Sequence, residues 1–459
     1  MAEEIKSLHD LLDEDPEILD NISVLADEEA AQSLVTIFAD LHPADIAEII
    51  NHFTPEKANY LFSLLDTETA SEVILELDEN IREKILERTD TLKIADIVDE
   101  LDTDDATDIV SELPEQVAEE VLENIEPESS EEVKELLKYP EDSAGGIMNS
   151  DFVHVNETAT VADAIEQVRL KAEDIDHVYH VYVLKENEEL IGYTLLKSLL
   201  INPLDTKINT ILEEDFVTVT PETDQEEVAN LMKKYDMVSI PVIDGNGLML
   251  GRITIDDVVD VIGEEAEEDI QKFAGLSEEE EISDSSFTIS RIRMPWLLVA
   301  LVGELVSALV LSSYEASIHK IVIASFFIPI VMAMGGSSGT QAAIVMVRRL
   351  TEHDVWLKDS LKKIFKEFTV GIFNGFISAA ILMLATLLIF KTEFYFSFIL
   401  SISLIIIMVF ATVLGATVPL FLKRFGVDPA IATGPFVTTM NDIFALSIYL
   451  SIITVFLIR

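Results

Sequence analysis

The chain has 459 residues and no cysteine, and its 85 Asp and Glu against 30 Lys and Arg leave a formal net charge of −55. That length allows two or three domains. The missing thiols exclude disulfides and thiolate metal sites and suit a cytosolic soluble part, and the missing basic footprint excludes DNA and RNA as partners. The charge is unevenly spread. From Ile289 onward there are 13 Lys and Arg against 9 Asp and Glu, which leaves 17 against 76 before that point. A very acidic soluble region therefore precedes a membrane region. Self-repulsion on this scale weakens a compact state unless counter-ions bind, so divalent cations are natural ligands; a merely soluble acidic surface is the plain alternative. The start, Met1-Ala2-Glu3-Glu4, lacks the apolar core of a signal peptide.

Residues 1–140 read as an acidic, all-α domain. Apolar residues recur at helical spacing, as in Ile46, Ile49, Ile50 and Phe53, and short turns carrying Pro43, Pro55, Pro114 and Pro127 interrupt them. Leu65-Asp66-Thr67-Glu68-Thr69-Ala70 is echoed by Leu101-Asp102-Thr103-Asp104-Asp105-Ala106. Each opens a helix with a capping residue and first-turn acids that suit the helix dipole. Repeated helical hairpins of this kind predict a superhelix of stacked pairs. The acids Asp99, Glu100, Asp102, Asp104, Asp105 and Asp108 are by themselves ordinary helix-start chemistry, with one wall of a cation site as the second reading.

Residues 141–263 change character. Asp151-Phe152-Val153-His154-Val155 is echoed by Asp215-Phe216-Val217-Thr218-Val219. Each is followed by an amphipathic helix, a hydrophobic strand (Val178 to Leu184; Val238 to Ile243), a second short strand and a helix. This α/β tandem repeat resembles a pair of CBS domains, folded around a pseudo-two-fold cleft. The resemblance implies ATP or another adenine nucleotide as ligand. Its Thr and Asp signature falls on Thr254 and Asp257 in the second repeat, within Gly251-Arg252-Ile253-Thr254-Ile255-Asp256-Asp257. The first repeat, Gly192-Tyr193-Thr194-Leu195-Leu196-Lys197-Ser198, lacks the Asp, so one nucleotide site at most is expected.

Residues 264–290 form an acidic connecting helix. Asp256, Asp257, Asp260, Glu264, Glu265, Glu267, Glu268 and Asp269 crowd its approach and first turns. Like charges one helical turn apart each cost a few tenths of a kcal/mol, so this helix is either a solvated face or one half of a divalent site.

Residues 291–459 hold five apolar runs, about Pro295–Ser313, Ile321–Val347, Thr369–Phe390, Phe398–Leu422 and Ile431–Leu457. Each is long enough to cross a bilayer. Arg291 and Arg293 precede the first; Arg348, Arg349, Lys358, Lys362, Lys363 and Lys366 lie between the second and third; Lys423 and Arg424 lie between the fourth and fifth. By the positive-inside rule this is a multi-pass protein of the cell membrane, its acidic part cytosolic and its C-terminus outside.

Two polar stretches interrupt these runs. The second holds Met334-Gly335-Gly336-Ser337-Ser338-Gly339-Thr340-Gln341, whose glycines suit close helix packing and are dense enough to open the backbone. The last holds Gly434-Pro435-Phe436-Val437-Thr438-Thr439-Met440-Asn441-Asp442. An intramembrane carboxylate is expensive and usually faces a polar interior. A Pro frees carbonyls one turn back, and the adjoining hydroxyls and amide complete an oxygen-rich surface suited to hard cations. The plain alternative is an Asp packed against a neighbouring helix. Candidate pore-lining residues are Gly335, Gly336, Ser337, Gly434, Pro435, Thr438, Thr439 and Asn441. Glu304, midway along the first run, is a second intramembrane acid that either faces the interior or pairs with another helix.

The order of parts, with Tyr139-Pro140-Glu141-Asp142-Ser143-Ala144-Gly145-Gly146-Ile147-Met148, the glycine-rich stretch and Val427-Asp428-Pro429-Ala430, resembles the MgtE family of magnesium transporters over nearly the whole length. The resemblance implies a homodimer with a pore between the two membrane domains, and hydrated Mg²⁺ near Asp442. It also implies that cytosolic Mg²⁺ binds among the helical domain, CBS pair and connector and holds the pore shut. The matching acids are Asp224, Glu226, Asp236, Asp257, Asp260, Glu265, Glu268, Asp269 and Asp428, with Asp104, Asp105 and Asp108 in the helical domain. Ser337 stands where the family pattern often has Asn, and Ala445 where Gly is common.

The function expected is thus Mg²⁺ transport into the cytosol, gated by cytosolic Mg²⁺. The alternatives are a less selective Co²⁺ or Mn²⁺ carrier or exchanger, and a sensor that transports nothing. An intramembrane aspartyl enzyme needs two carboxylates with a supporting set, and only Glu304 and Asp442 offer themselves, so no enzyme is expected.

Overall fold

The computed structural model describes residues 17–172, 175, 177–274, 276, 286–351, 357–425, 427–432 and 434–458. The chain divides into two compact units, Met1–Gly263 and Glu264–Arg459.

The first unit begins with helices alone, from Ile18–Asp27 to Pro127–Leu136. The prolines start these helices: Pro43, Pro55 and Pro127 each fill the first turn. A missing N–H costs nothing there, and the fixed φ already suits the helix. Asp66 caps Thr67–Leu75 by accepting from the Thr69 N–H at 3.0 Å, and Asp102 holds the matching position before Thr103–Ser111. Each helix packs on the one two further along: Pro43–Asn51 on Thr67–Leu75, Pro55–Ser63 on Glu79–Leu86, and Pro127–Leu136 on Thr103–Ser111. One continuous core runs through the stack from Ile22 to Val133. This is the expected superhelix of helix pairs.

The α/β repeat follows. In its first half β1 (His154–Asn156) pairs parallel with β2 (His180–Leu184), which pairs antiparallel with β3 (Leu190–Leu195). In the second half β4 (Ser239–Ile243) pairs antiparallel with β5 (Met249–Thr254), and Val219 bridges Val242 in parallel where β1 has its counterpart. The hairpin turns match as well: the left-handed position is Glu188 in one and Gly247 in the other. Thr160 and Asp163 form a reciprocal capping box on the helix Val161–Leu170. The halves are joined where the Tyr182 hydroxyl meets Ser239 Oγ at 2.9 Å, both groups buried.

The helix Ile255–Ala274 carries the chain into the second unit. Among the described residues there, five helices are long and apolar enough to cross a membrane. They are Ser286–Ser313, Ile328–Thr351, Leu357–Leu388, Phe394–Arg424 and Pro435–Ile453, here the first to fifth spans. Of the two readings of the glycine-rich stretch the helix carries close packing, and one expectation, on Pro435, is corrected. The second span runs unbroken through Gly335–Gly339, because those glycines are spent on close packing: a Cβ at Gly339 would meet the Asn441 amide. Likewise Pro435 does not interrupt the fifth span but starts it, after a 3₁₀ turn at Pro429–Ala432, so no carbonyls are freed inside it.

The fourth span is the hub, packing on the second, third and fifth. Gly371 and Gly375 let the third span approach it at Val409 and Ile405. Buried hydroxyls return their hydrogen to their own helix, as Ser403 does to Ile399 O at 2.8 Å and Thr412 to Met408 O at 2.8 Å. These two hydroxyls are thereby satisfied within their own helix. The first span leans chiefly on the fifth, and most of its large side chains, Leu297, Leu301, Val302, Leu305 and Leu309 among them, face outward.

Candidate functional site

Two clusters of carboxylates and one intramembrane cavity stand out. The first cluster lies in the first unit, where the helix Thr103–Ser111 meets the start of Ile255–Ala274. Asp104 is only 7% exposed although it is a carboxylate. Burial first, then the charges of Asp257, Asp105 and Asp102, hold it well above the ordinary carboxylate range. Burial pushes Asp105 up to about 8, with Asp257, Asp102, Asp108 and Asp256 adding repulsion. Asp257 is pushed up to about 6 by burial, with Asp256 and Asp102 adding to this and hydrogen bonds from Thr254 opposing it. Asp260 is raised by burial and by Asp256. Facing acids that share so little water call for a positive charge among them.

The same junction has a neutral polar joint. Thr103 Oγ1 accepts from the Ser150 N–H at 2.9 Å and lies 3.3 Å from Asn149 Oδ1. Asn149 in turn exchanges backbone bonds with Arg252 in β5, and Arg252 Nε donates to Asp151 O at 2.9 Å. This joint holds the acids face to face.

Thr254 and Asp257, the expected nucleotide residues, bond to each other. The Thr254 N–H and hydroxyl both donate to Asp257 Oδ2, at 3.2 and 2.8 Å, which fixes the start of the helix. Nearby, His180 is buried between Tyr182 and Tyr193, its ring 4.3 Å from that of Tyr193. Burial, helped by Arg252, lowers it to about 4, so it is neutral at physiological pH. Asp224 and Glu226 stand at one end of the helix Gln225–Tyr235, where Asp224 accepts the Glu226 N–H at 2.9 Å, while Asp236 closes the other end in a left-handed conformation. The helix length separates Asp236 from that pair.

The second cluster lies in the second unit. Lys272 Nζ sits 2.6 Å from Glu268 and 2.7 Å from Asp428, and Asp269, half-buried beside them, is raised by burial and by the Asp428 charge. These three acids were expected around a metal ion; a lysine ammonium occupies their centre here. Asp428 also accepts the Ala430 N–H at 2.8 Å, which shapes the turn before the fifth span. Glu265 lies further back on the same helix.

The cavity, of about 490 Å³, is lined by Met332, Ala333, Gly336, Ser337, Thr340, Gln341, Thr438 and Asp442. The second span supplies its small and hydroxyl residues and the fifth its carboxylate. Gly335 faces Ile407 and Ala445, and Thr439 faces Gly303. Asn441 is buried against Gly339, with both amide atoms lacking a hydrogen-bond partner among the described groups. Gly434 is buried at the start of the fifth span; the Pro435 side chain lies outside the described residues. Among the described residues no three Asp, Glu or His side chains form a ready metal cage.

Three participants fall outside the named ligand sets: Asp102 and Asp256 in the first cluster, both already placed in acidic runs that could wall a cation site, and Glu304, which neighbours Asp442. The first two were legible as part of acidic runs. The third depends on the register between spans, which no sequence pattern carries.

An acidic helical region, an α/β tandem repeat and five apolar helices, with a cavity between the second and fifth that holds Asp442, define a membrane cation transporter. Family models agree: a divalent cation transporter domain matches residues 328–452, the MgtE intracellular N domain matches 41–142, and CBS domains match 144–202 and 208–264. The chain is 31% identical to the magnesium transporter MgtE of Bacillus subtilis, over 96% of this chain and 98% of that one. It is 34% identical to the magnesium transporter MgtE of Thermus thermophilus, over 71% and 72% of the two chains. A crystal structure of the cytosolic domain of the Mg²⁺ channel MgtE in complex with ATP is matched at 29% identity with a TM-score of 0.50, covering 53% of this chain and 99% of that one. The chain belongs to the MgtE family of magnesium transporters.

Proposed function

We propose that this protein conducts Mg²⁺ into the cytosol past Asp442 and is closed by Mg²⁺ on the cytosolic side. The observation that carries the reading is the cavity between the second and fifth spans, where the Asp442 carboxylate stands with the Ser337, Thr340 and Thr438 hydroxyls and Gly336. Hydrated Mg²⁺ needs room and oxygen partners rather than a tight cage, and this lining offers both. Gly336, Ser337 and Thr438 flank the path. A homodimer suits it, because the cavity is open on one side and a second copy would complete the wall.

Closure follows from mass action. Asp104, Asp105, Asp108, Asp257 and Asp260 repel one another at their junction, as do Glu268, Asp269 and Asp428 in the second unit, and bound Mg²⁺ favours the arrangement in which they are close. Asp224, Glu226, Asp236 and Glu265 belong to the same sensing surface. The soluble domains face the cytosol and the C-terminus lies outside. ATP or another adenine nucleotide is the ligand we assign to the CBS pair, with Thr254 and Asp257 as its candidate residues.

The test is uptake in a host lacking its own Mg²⁺ transport. Asp442→Ala should lose growth rescue at normal expression, and rescue by that variant would remove the pore assignment. Competition by Co²⁺ and Mn²⁺ in the same cells separates a Mg²⁺-selective path from a general divalent carrier.

A further inference from the structure

Thr103 is buried for a reason its own repeat does not supply. In the earlier turn of the helical stack the matching residues, Thr67 and Glu68, are half-buried and exposed, whereas Thr103 and Asp104 are only 6% and 7% exposed. The chain at 149–151, where it enters the α/β repeat, meets Thr103. The Thr103 hydroxyl is fully used there. Its Oγ1 accepts from the Ser150 N–H at 2.9 Å and from the Ser150 hydroxyl at 3.0 Å, and donates to Asn149 Oδ1 at 3.3 Å. A hydroxyl has one hydrogen and two lone pairs, so no capacity is left over. Asn149 is itself buried, and its Oδ1 also accepts the Asp151 N–H at 2.7 Å. Its main chain exchanges bonds with Arg252 of β5 at 2.8 and 2.9 Å. The joint therefore touches both walls of the acidic junction: Thr103 directly precedes Asp104 and Asp105, and β5 runs straight into the helix that carries Asp257 and Asp260.

We propose that Thr103 is a positioning residue for Mg²⁺ sensing: its hydroxyl supplies a cation-independent part of the docking between the helix Thr103–Ser111 and the α/β repeat, and so sets the Mg²⁺ concentration at which the acids close. The proposal rests on the reading that these acids sense Mg²⁺ when they are brought together. The side chains of Thr103, Asn149 and Ser150 are neutral, so their bonds favour docking whether or not an ion is bound. Repulsion among the acids opposes docking, the joint offsets part of it, and Mg²⁺ supplies the remainder. Without the hydroxyl, the Ser150 N–H loses its acceptor at the junction, and the ion must overcome that cost as well.

The experiment is Mg²⁺ flux into proteoliposomes holding the full chain, as wild type, Thr103→Val, Thr103→Ser and Ser150→Ala, with Mg²⁺ varied on the side bearing the soluble domains. Thr103→Val keeps the shape and removes the hydroxyl. It is expected to raise the Mg²⁺ concentration for half-closure by about tenfold where one ion closes the junction, and by less where several share the work. Flux at the lowest Mg²⁺ should stay at the wild-type level. Thr103→Ser keeps the hydroxyl and should close near the wild-type concentration. A role in folding alone would lower flux at every Mg²⁺ concentration and leave the half-closing point in place, and that result overturns the proposal. If Thr103→Val fails to assemble, Ser150→Ala decides, since it removes one of the three bonds: a smaller rise in the half-closing concentration supports the proposal, and a wild-type value overturns it. Wild-type closure in Thr103→Val overturns it while leaving Mg²⁺ sensing intact. Wild-type flux that ignores Mg²⁺ on that side overturns the sensing reading, and this proposal with it.

Discussion

A Cβ added at Gly339 runs into the Asn441 amide, and one added at Gly415 runs into the backbone of Gly339. The second, fourth and fifth spans are therefore in contact at a point where none has volume to spare. Overpacking of this kind typically costs 1–3 kcal/mol, about one order of magnitude or more in the folded population. Gly339→Val is expected to give protein that expresses but loses monodispersity in detergent, read by size exclusion. Gly263→Ala, with open space around it, is the control and should behave as wild type. The residue scale is also where sequence reasoning reached least. Asp442 could be picked out because a lone carboxylate in an apolar run is chemically conspicuous. Its neighbour Glu304 was equally conspicuous, but which span it meets depends on rotation and register of helices that are apolar all round. The same holds for Asn441, whose burial against Gly339 is a property of packing.

Among elements, the connecting helix and the turn before the fifth span are tied through Lys272, which bonds both Glu268 and Asp428. Both partners push the lysine further toward its charged form than its partial burial alone would allow. An ammonium in that position does part of what a divalent ion would do there. Lys272→Met leaves Glu268, Asp269 and Asp428 facing one another without it. The expected outcome is flux that persists to higher cytosolic Mg²⁺ at the start of a titration, followed by a steeper closure, since Mg²⁺ gains a seat the lysine had filled. A flux–Mg²⁺ curve superimposable on wild type would remove Lys272 from gating. At this scale the sequence was most informative. Helical spacing and capping residues located the helical stack, and the repeated Asp-Phe-Val pattern located both halves of the α/β repeat. Local chemistry governs those features. The glycine-rich stretch of the second span left two readings open, because glycine both permits close packing and weakens a helix; the neighbours decide which, and here the fourth and fifth spans press against it.

Across the whole molecule the dominant fact is the excess of carboxylates before Ile289. At the junction of Thr103–Ser111 with Ile255–Ala274, Asp104, Asp105 and Asp257 hold protons more tightly folded than unfolded, Asp257 near 6 and Asp105 near 8. Groups raised in this way favour the docked arrangement fully below their unfolded values and lose that contribution as pH rises through the folded ones. Without Mg²⁺, the thermal midpoint of the soluble region in the full-length protein should therefore fall between pH 6 and pH 8. The scale is roughly 2–4 °C for each kcal/mol lost. Added Mg²⁺ should restore the midpoint at pH 8 and change little at pH 5, where protons already neutralise the site. Asp105→Asn should flatten the upper part of the profile. A midpoint independent of pH over this range, with or without Mg²⁺, would show that the acids are not facing one another in solution. On the proposed reading the same logic links the soluble charge to transport, because one ion would both relieve the repulsion and be carried.

That link is tested most directly by one measurement: Mg²⁺ flux through purified protein in liposomes, with Mg²⁺ varied on the side bearing the soluble domains and Asp442→Ala as control. The account predicts flux that disappears in Asp442→Ala and falls as Mg²⁺ on that side rises. Flux that needs Asp442 but ignores that Mg²⁺ would contradict the charge-switch mechanism, and flux undiminished in Asp442→Ala would contradict the ion path itself.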